Sequence, residues 1–223
     1  MTTVAVIQPY FFPYAGYYRL FAAADTVVMF DCVQFPRRGW VHRNRFSLAN
    51  GSSDWLTLPL AKAERETLIT ELRFAPDAAP RLRAALARFP ALARAARDGD
   101  PLIERMLAVD GDVTGYLCSL IEHTTAALGM PRPMLRSSSL DIDPALRAQD
   151  RVLAILDRLG AKRYVNPSGG RDLYDHRTFD AHRIELRFLV PFEGSMESVL
   201  SRVLEEGAEA VASDIRRQTT LVP

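Results

Sequence analysis

The 223-residue chain has only two cysteines, Cys32 and Cys118, and four histidines. Two thiols make no disulfide framework and suit a reducing compartment. Neither they nor the scattered histidines stand at metal-ligand spacing, so no metal is expected. No stretch approaches the roughly 20 apolar residues of a membrane span, which argues against membrane insertion. The N-terminus runs directly into Val4-Ala5-Val6-Ile7 with no basic region or small-residue cleavage site. No leader is expected, therefore, and a cytoplasmic location is. A charge excess is missing too: Lys+Arg 28 against Asp+Glu 27 leave a net charge of +1. General binding to nucleic acid or to a membrane surface has no electrostatic basis. Repeats and low-complexity tracts are absent.

What is present reads as a globular α/β protein. Hydrophobic residues make up 48% and charged residues 25%, enough to bury a core without staples. Residues 3–7 form a short apolar run that predicts a buried strand. Two prolines, Pro9 and Pro13, stop it. Gly16 then opens a helix that Asp25 closes, and residues 26–30 predict a second strand. Strand, loop, helix and strand in about thirty residues make a βαβ unit and predict a parallel sheet. Asn50-Gly51 lies between two strand-like runs and predicts a hairpin over residues 43–58. Residues 68–74 and 134–138 read as further strands. Residues 76–130 are helical text, read as an insertion or lid. A helix is expected from Asp143-Pro144, strands over residues 163–166 and 184–189, a tight loop at residues 167–170, a helix over 195–205 and a helical tail. The expectation is a single domain, residues 1–223, around a mainly parallel, Rossmann-like sheet built from βαβ units.

Two phrases carry more than fold. One is Gln8-Pro9-Tyr10-Phe11-Phe12-Pro13-Tyr14-Ala15-Gly16-Tyr17, followed by Phe30-Asp31-Cys32-Val33-Gln34-Phe35 and Arg38-Gly39-Trp40-Val41-His42-Arg43-Asn44-Arg45. The other is Tyr164-Val165-Asn166-Pro167-Ser168-Gly169-Gly170-Arg171-Asp172-Leu173-Tyr174. In order and spacing they resemble the WbqC-like family over most of the chain. The resemblance implies a bacterial setting in the biosynthesis of O-antigen and other surface polysaccharides, or of specialised metabolites. It names a setting more firmly than a reaction. Members of the family often carry a second acid where this chain has Cys32, and Asn where it has His42, so a catalytic thiol is not a family expectation. A weaker similarity of pattern, strand then aromatic loop then Gly16 at a helix start, is to the HIGH-type nucleotidylyltransferases and pantoate–β-alanine ligases. Their phosphate-gripping histidines have no counterpart among Pro13, Tyr14 and Tyr17.

Each candidate residue has a plain structural reading beside the functional one. Tyr10 and Tyr17 are core residues or walls of a pocket suited to a sugar or nucleobase. Asp31 is a cap or ion-pair partner, or a general base at a strand end. His42 is a structural hydrogen-bonding residue or a second catalytic group. Cys32 is a small buried residue; the arginines nearby keep a nucleophile in view. Arg38 and Arg43, with Arg45, form a solvated face or an anion site. Asn166, Ser168, Gly169 and Gly170 make a turn or an anion-binding nest. Tyr174 belongs to the core or to the same pocket. Gln8, Gln34 and Asn44 complete the expected substrate-binding set, and Gln8, Asp31, Asn44 and Asn166 are expected in one cleft beyond the carboxyl ends of strands. The substrate is expected to be a small molecule, a sugar nucleotide or another phosphorylated or carboxylated ligand; no cofactor can be named. The first functional expectation is transfer of an acyl or aminoacyl group to an amino sugar. An ATP-using ligase or nucleotidylyltransferase, and a non-catalytic assembly protein that binds sugar or nucleotide, are the alternatives. Asp31 is expected to matter more for activity than Cys32.

Overall fold

The computed structural model of the chain describes residues 2–223. In chain order, β1 (Thr3–Ile7) leads through a loop and a 3-10 turn (Ala15–Tyr18) into α1 (Arg19–Ala23) and β2 (Thr26–Met29). The hairpin β3 (Arg43–Ser47) and β4 (Ser53–Thr57) follows, then α2 (Ala78–Leu86), α3 (Pro90–Arg97), α4 (Pro101–Leu107) and α5 (Val113–Ala127). Next come β5 (Met134–Arg136), α6 (Ala148–Arg158), β6 (Arg163–Asn166), α7 (His176–Ala181) and β7 (Glu185–Leu189). The last elements are α8 (Val199–Glu206), α9 (Ala208–Arg217) and β8 (Leu221–Val222).

Six strands form one sheet in the order β5-β2-β1-β6-β7-β8, and β3-β4 is a separate antiparallel hairpin. Every pair in the large sheet is parallel except β7 with β8. Alternation along β1 divides the core. Val4 and Val6 face Val152, Ile155 and Leu156 of α6 and Phe179 of α7. Ala5 faces Leu20 and Phe21 of α1, Ile121 of α5 and Ile215 of α9. Helices thus cover both faces, as strands apolar on both sides require. The strand order reverses beside β1, the doubly wound arrangement in which ligands settle at the carboxyl ends of the strands flanking the reversal.

A second core joins the hairpin to the helices that follow it. Phe46 and Leu56 pack there with Leu82, Leu86, Ile103 and Met106, and Phe11 and Phe12 of the first motif enter it. Helix α5 belongs to both cores, giving Leu117 and Leu120 to this one and Ile121 to the sheet. It is the crossover helix between β2 and β5, so only α2–α4 lie wholly on the hairpin side. Local chemistry sets these starts. Asp100 accepts from the Leu102 and Ile103 amides ahead of Pro101, and Asp112 accepts from Gly115.

Four expectations need correction. Residues 68–74 form no strand: Glu71 accepts from the Leu68 amide at 2.7 Å and closes a 3-10 turn (Ile69–Glu71) between two isolated bridges. The helix expected from Asp143 begins at Ala148 instead. Asp143 caps a turn through Ala145, and Ala148 takes φ 45°, which separates that turn from the helix. The helix expected from residue 195 begins at Val199, where Ser198 caps the Leu200 amide. The helical tail ends in β8, an edge strand held by two residue pairs to β7, too short to be read from pattern.

Candidate active site at the carboxyl edge of the sheet

β1, β2 and β6 are neighbours, so Gln8, Asp31 and Asn166 all stand at the carboxyl edge. Asp31 lies two residues beyond β2, with a fully buried carboxylate. That carboxylate accepts from Arg136 Nε at 2.9 Å, Ser137 Oγ at 2.9 Å, Ser138 N at 2.9 Å and Ser138 Oγ at 2.7 Å. Arg136 ends β5 and also pairs with Asp112, the cap of α5, at 3.3 Å. Asp31 therefore ties the ends of β2 and β5 to the start of α5. Four donors fill the acceptor sites of a carboxylate. A carboxylate that acts as a general base has to release one of these donors first.

The next residue has a different environment. Cys32 Sγ lies 2.9 Å from Ser137 Oγ and accepts from Arg151 Nε at 3.1 Å. Arg151, on α6, is 8% exposed, and its Nη1 donates to the Asp143 and Leu146 carbonyls at 3.4 and 3.3 Å. Among the described residues no carboxylate forms a salt bridge with it. A buried cation without a counter-ion is costly unless an anion visits it. Cys32, Ser137, Ser138, Arg147 and Arg151 line a cavity of about 750 Å³, with Asp141 as its one acid. The first turn of α6 lies at this cavity with no side-chain cap and with Asp150 as the acid in that turn, so its free backbone N–H groups are open to a hydrogen-bond acceptor. Gln34 lines both this cavity and an open groove of about 720 Å³ with Arg37, Arg38 and Arg65.

The first motif folds around Asn44. This fully buried amide donates to the Phe11 and Phe12 carbonyls at 3.2 and 2.6 Å, holding Phe12 at φ 44°, and accepts from the Arg45 amide at 2.8 Å. Asn44, Tyr10, Pro13, Tyr14 and Trp40 line a pocket of about 150 Å³. Tyr17 was expected in a pocket wall and is core instead. It is buried, and its hydroxyl donates to the Gln8 carbonyl at 3.0 Å. Gly16 admits no side chain, since a Cβ would meet the Tyr14 ring at 2.3 Å.

In the arginine block Arg37 and Arg38 face the open groove together with Arg65. Arg43 stacks on Trp55, 4.2 Å from the ring centroid, and its Nη2 donates to the Arg38 carbonyl at 2.9 Å. Its guanidinium is occupied by its own hairpin. His42 lies edge-on to Phe35 and lines a different cavity, of about 370 Å³. Burial, helped by Arg43, pushes the His42 imidazole down to about 4, and its buried Nδ1 has no partner among the described residues. The ring is neutral at pH 7 and is not grouped with Asp31.

In the second block, Tyr164 donates to Asn166 Oδ1 at 3.2 Å and meets the Tyr174 hydroxyl at 3.1 Å. The Asn166 amide lies over Gly170, where a Cβ would stand 1.8 Å from Nδ2. The Gly170 N–H donates to the Pro167 carbonyl at 3.0 Å, which removes it from the expected nest. Ser168 is half-buried and Gly169 exposed. Among the described residues no group of three or more His, Cys, Asp or Glu could hold a metal ion, and no helix is long and apolar enough to cross a membrane.

The reading of the sequence missed Arg65, Arg136, Ser137, Ser138, Arg147 and Arg151. One signal was available: Arg151 stands four residues before Ile155, a charge on the apolar stripe of its helix.

Comparison with known proteins agrees with the motifs. The model of the WbqC-like protein family matches residues 8–194. A curated relative from Mycobacterium tuberculosis, the uncharacterized protein Rv1507c, is 26% identical over 229 residues, covering 94% of this chain and 96% of its own. No solved structure matches the chain.

Proposed function

The chain belongs to the WbqC-like protein family, and from that premise we propose that it is a transferase attaching an acyl or aminoacyl group to a nucleotide-linked amino sugar. Its setting would be the biosynthesis of surface polysaccharides or specialised metabolites. One observation carries this reading: the cavity beyond β2 and β5, where Arg151 is buried without an acidic partner beside an uncapped helix start. The volume suits a small ligand, and the charge suits a phosphate or carboxylate. The adjoining groove with Arg37, Arg38 and Arg65 offers a second anionic subsite, so donor and acceptor can meet at Gln34. In this reading Asp31 positions the Arg136–Ser138 turn, and Tyr10 and Asn44 shape the neighbouring loop.

Calorimetry with nucleotide-linked amino sugars and with acyl thioesters tests it, followed by mass analysis of the mixture for an N-acylated sugar. Arg151→Gln is expected to weaken binding of the anionic ligand at least tenfold, the scale of one charge-assisted hydrogen bond. Unchanged affinity in Arg151→Gln, or no acylated sugar from any pair, would overturn the reading. Acylation that consumes ATP would make the chain a ligase, and binding without turnover an assembly protein.

A further inference from the structure

We infer that Cys32 is a covalent nucleophile, accepting an acyl group as a thioester before the group passes to an amine. The hydrogen-bond pattern carries this inference. The Ser137 hydroxyl has one hydrogen, and it goes to Asp31 Oδ1 at 2.9 Å. The two lone pairs of Ser137 Oγ therefore face three groups, the Asp31 amide at 3.1 Å, the Cys32 thiol at 2.9 Å and, farthest away, the Cys32 amide at 3.4 Å. With a proton on sulfur, the S–H points to Ser137 and the sulfur accepts from Arg151 Nε at 3.1 Å. When that proton leaves through the cavity, the Ser137 hydrogen can turn to the sulfur, and Asp31 keeps three other donors. Both protonation states of the sulfur are thus hydrogen-bonded, with no side-chain movement beyond one hydroxyl rotation. In the ionised state Arg151 gains the counter-ion it otherwise lacks. The thiolate is the nucleophilic form of cysteine, and it borders a cavity large enough for a substrate.

The step balances. The Cys32 thiolate attacks the carbonyl carbon of an acyl thioester, a C–S bond to Cys32 forms, and the donor's C–S bond breaks. The donor's thiolate leaves and takes a proton from water. The acceptor amine then attacks the Cys32 thioester, a C–N bond forms, the C–S bond breaks, and the amine proton passes to solvent. No oxidant or reductant takes part. The identity of the amine rests on the transferase reading above; the acyl-cysteine does not.

Cys118 provides an internal standard, because burial pushes its thiol up to about 12. With limiting iodoacetamide at pH 7, mass mapping is expected to find Cys32 alkylated at least tenfold faster than Cys118. Arg151→Gln and Ser137→Ala, each checked by circular dichroism, are expected to slow alkylation of Cys32 about tenfold. With S-acetyl-N-acetylcysteamine as probe, the protein should gain one hydroxylamine-labile acetyl group, absent from Cys32→Ser. Equal alkylation of the two cysteines, no effect of Arg151→Gln, or acetylation that survives in Cys32→Ser would overturn the inference. An acetyl-Cys32 that no amino sugar discharges would support the nucleophile and sink the transferase reading. An active Cys32→Ser enzyme would do the reverse.

Discussion

Asp31 and Cys32 are consecutive residues in opposite circumstances. Asp31 has four donors and no exposure; Cys32 has one cation, one hydroxyl and a cavity. A saturated polar group has its energy committed to holding strands together, and a reaction can use it only by breaking those bonds. A group that leaves a neighbouring charge uncompensated has its energy still available to a ligand. The same contrast separates Arg43, stacked on Trp55, from Arg151, which borders the cavity and among the described residues forms no salt bridge. The arginines crowded in sequence are thus not those best placed for an anion.

The sharpest way to break this comparison is to replace its two members. Asp31→Ala leaves the Ser137 and Ser138 donors without their buried acceptor, while Arg136 keeps its pair with Asp112, and about 2–4 kcal/mol of stability should be lost by denaturant unfolding. Cys32→Ala should cost about 1–2 kcal/mol, because it removes a small side chain and two sulfur hydrogen bonds, to Ser137 Oγ and from Arg151 Nε, while Arg151 keeps its two carbonyl partners. Near-equal losses would mean that the cysteine is structural as well.

Asn44→Ala tests whether the first motif depends on one buried amide. It frees two carbonyls and an amide in the interior, and a loss of roughly 2–3 kcal/mol is expected from the same unfolding measurement. If Asn44→Ala unfolds like the parent, the loop holds itself.

Gly170→Ala sharpens the comparison in the second block. Its Cβ would collide with the Asn166 amide, so about 1–3 kcal/mol should be lost. A crystal structure or NMR spectra should show the Asn166 side chain displaced. An unshifted Asn166 would show that the tight approach is not required.

The smallest effect concerns pH. His42 titrates at about 4 in the folded chain and near 6.5 when unfolded. The unfolded state binds more protons between these values, so stability falls as pH drops through that window. The ring is partly solvated, which reduces the contribution to about 1–2 kcal/mol. Melting temperatures across pH 4.5–7 should show a shallower slope in His42→Asn. An equal slope would assign the loss to other groups.

Local chemistry was enough to read β1, the proline stop, β2, the hairpin at Asn50-Gly51 and the two motif blocks. Each rests on neighbours a few residues apart: alternation, a missing N–H, a turn residue. The same logic placed Gln8, Asp31 and Asn166 at strand ends, and the sheet order made those ends adjacent. It did not reach the bonds that set Asp31 apart from Cys32. Asp31 meets its donors 105–107 residues away, and Cys32 meets Arg151 119 residues away. Such partners leave no spacing to read, because contact between them depends on how β5 and α6 pack against β2. Nor did pattern reveal that Tyr17 turns inward or that Arg43 lies on Trp55, since aromatic and cationic side chains can face either core or water. The sequence alone determined that Gln8, Asp31 and Asn166 stand at strand ends. Tertiary packing decided which of them have every polar atom paired and which border an open cavity, because pairing depends on geometry in space.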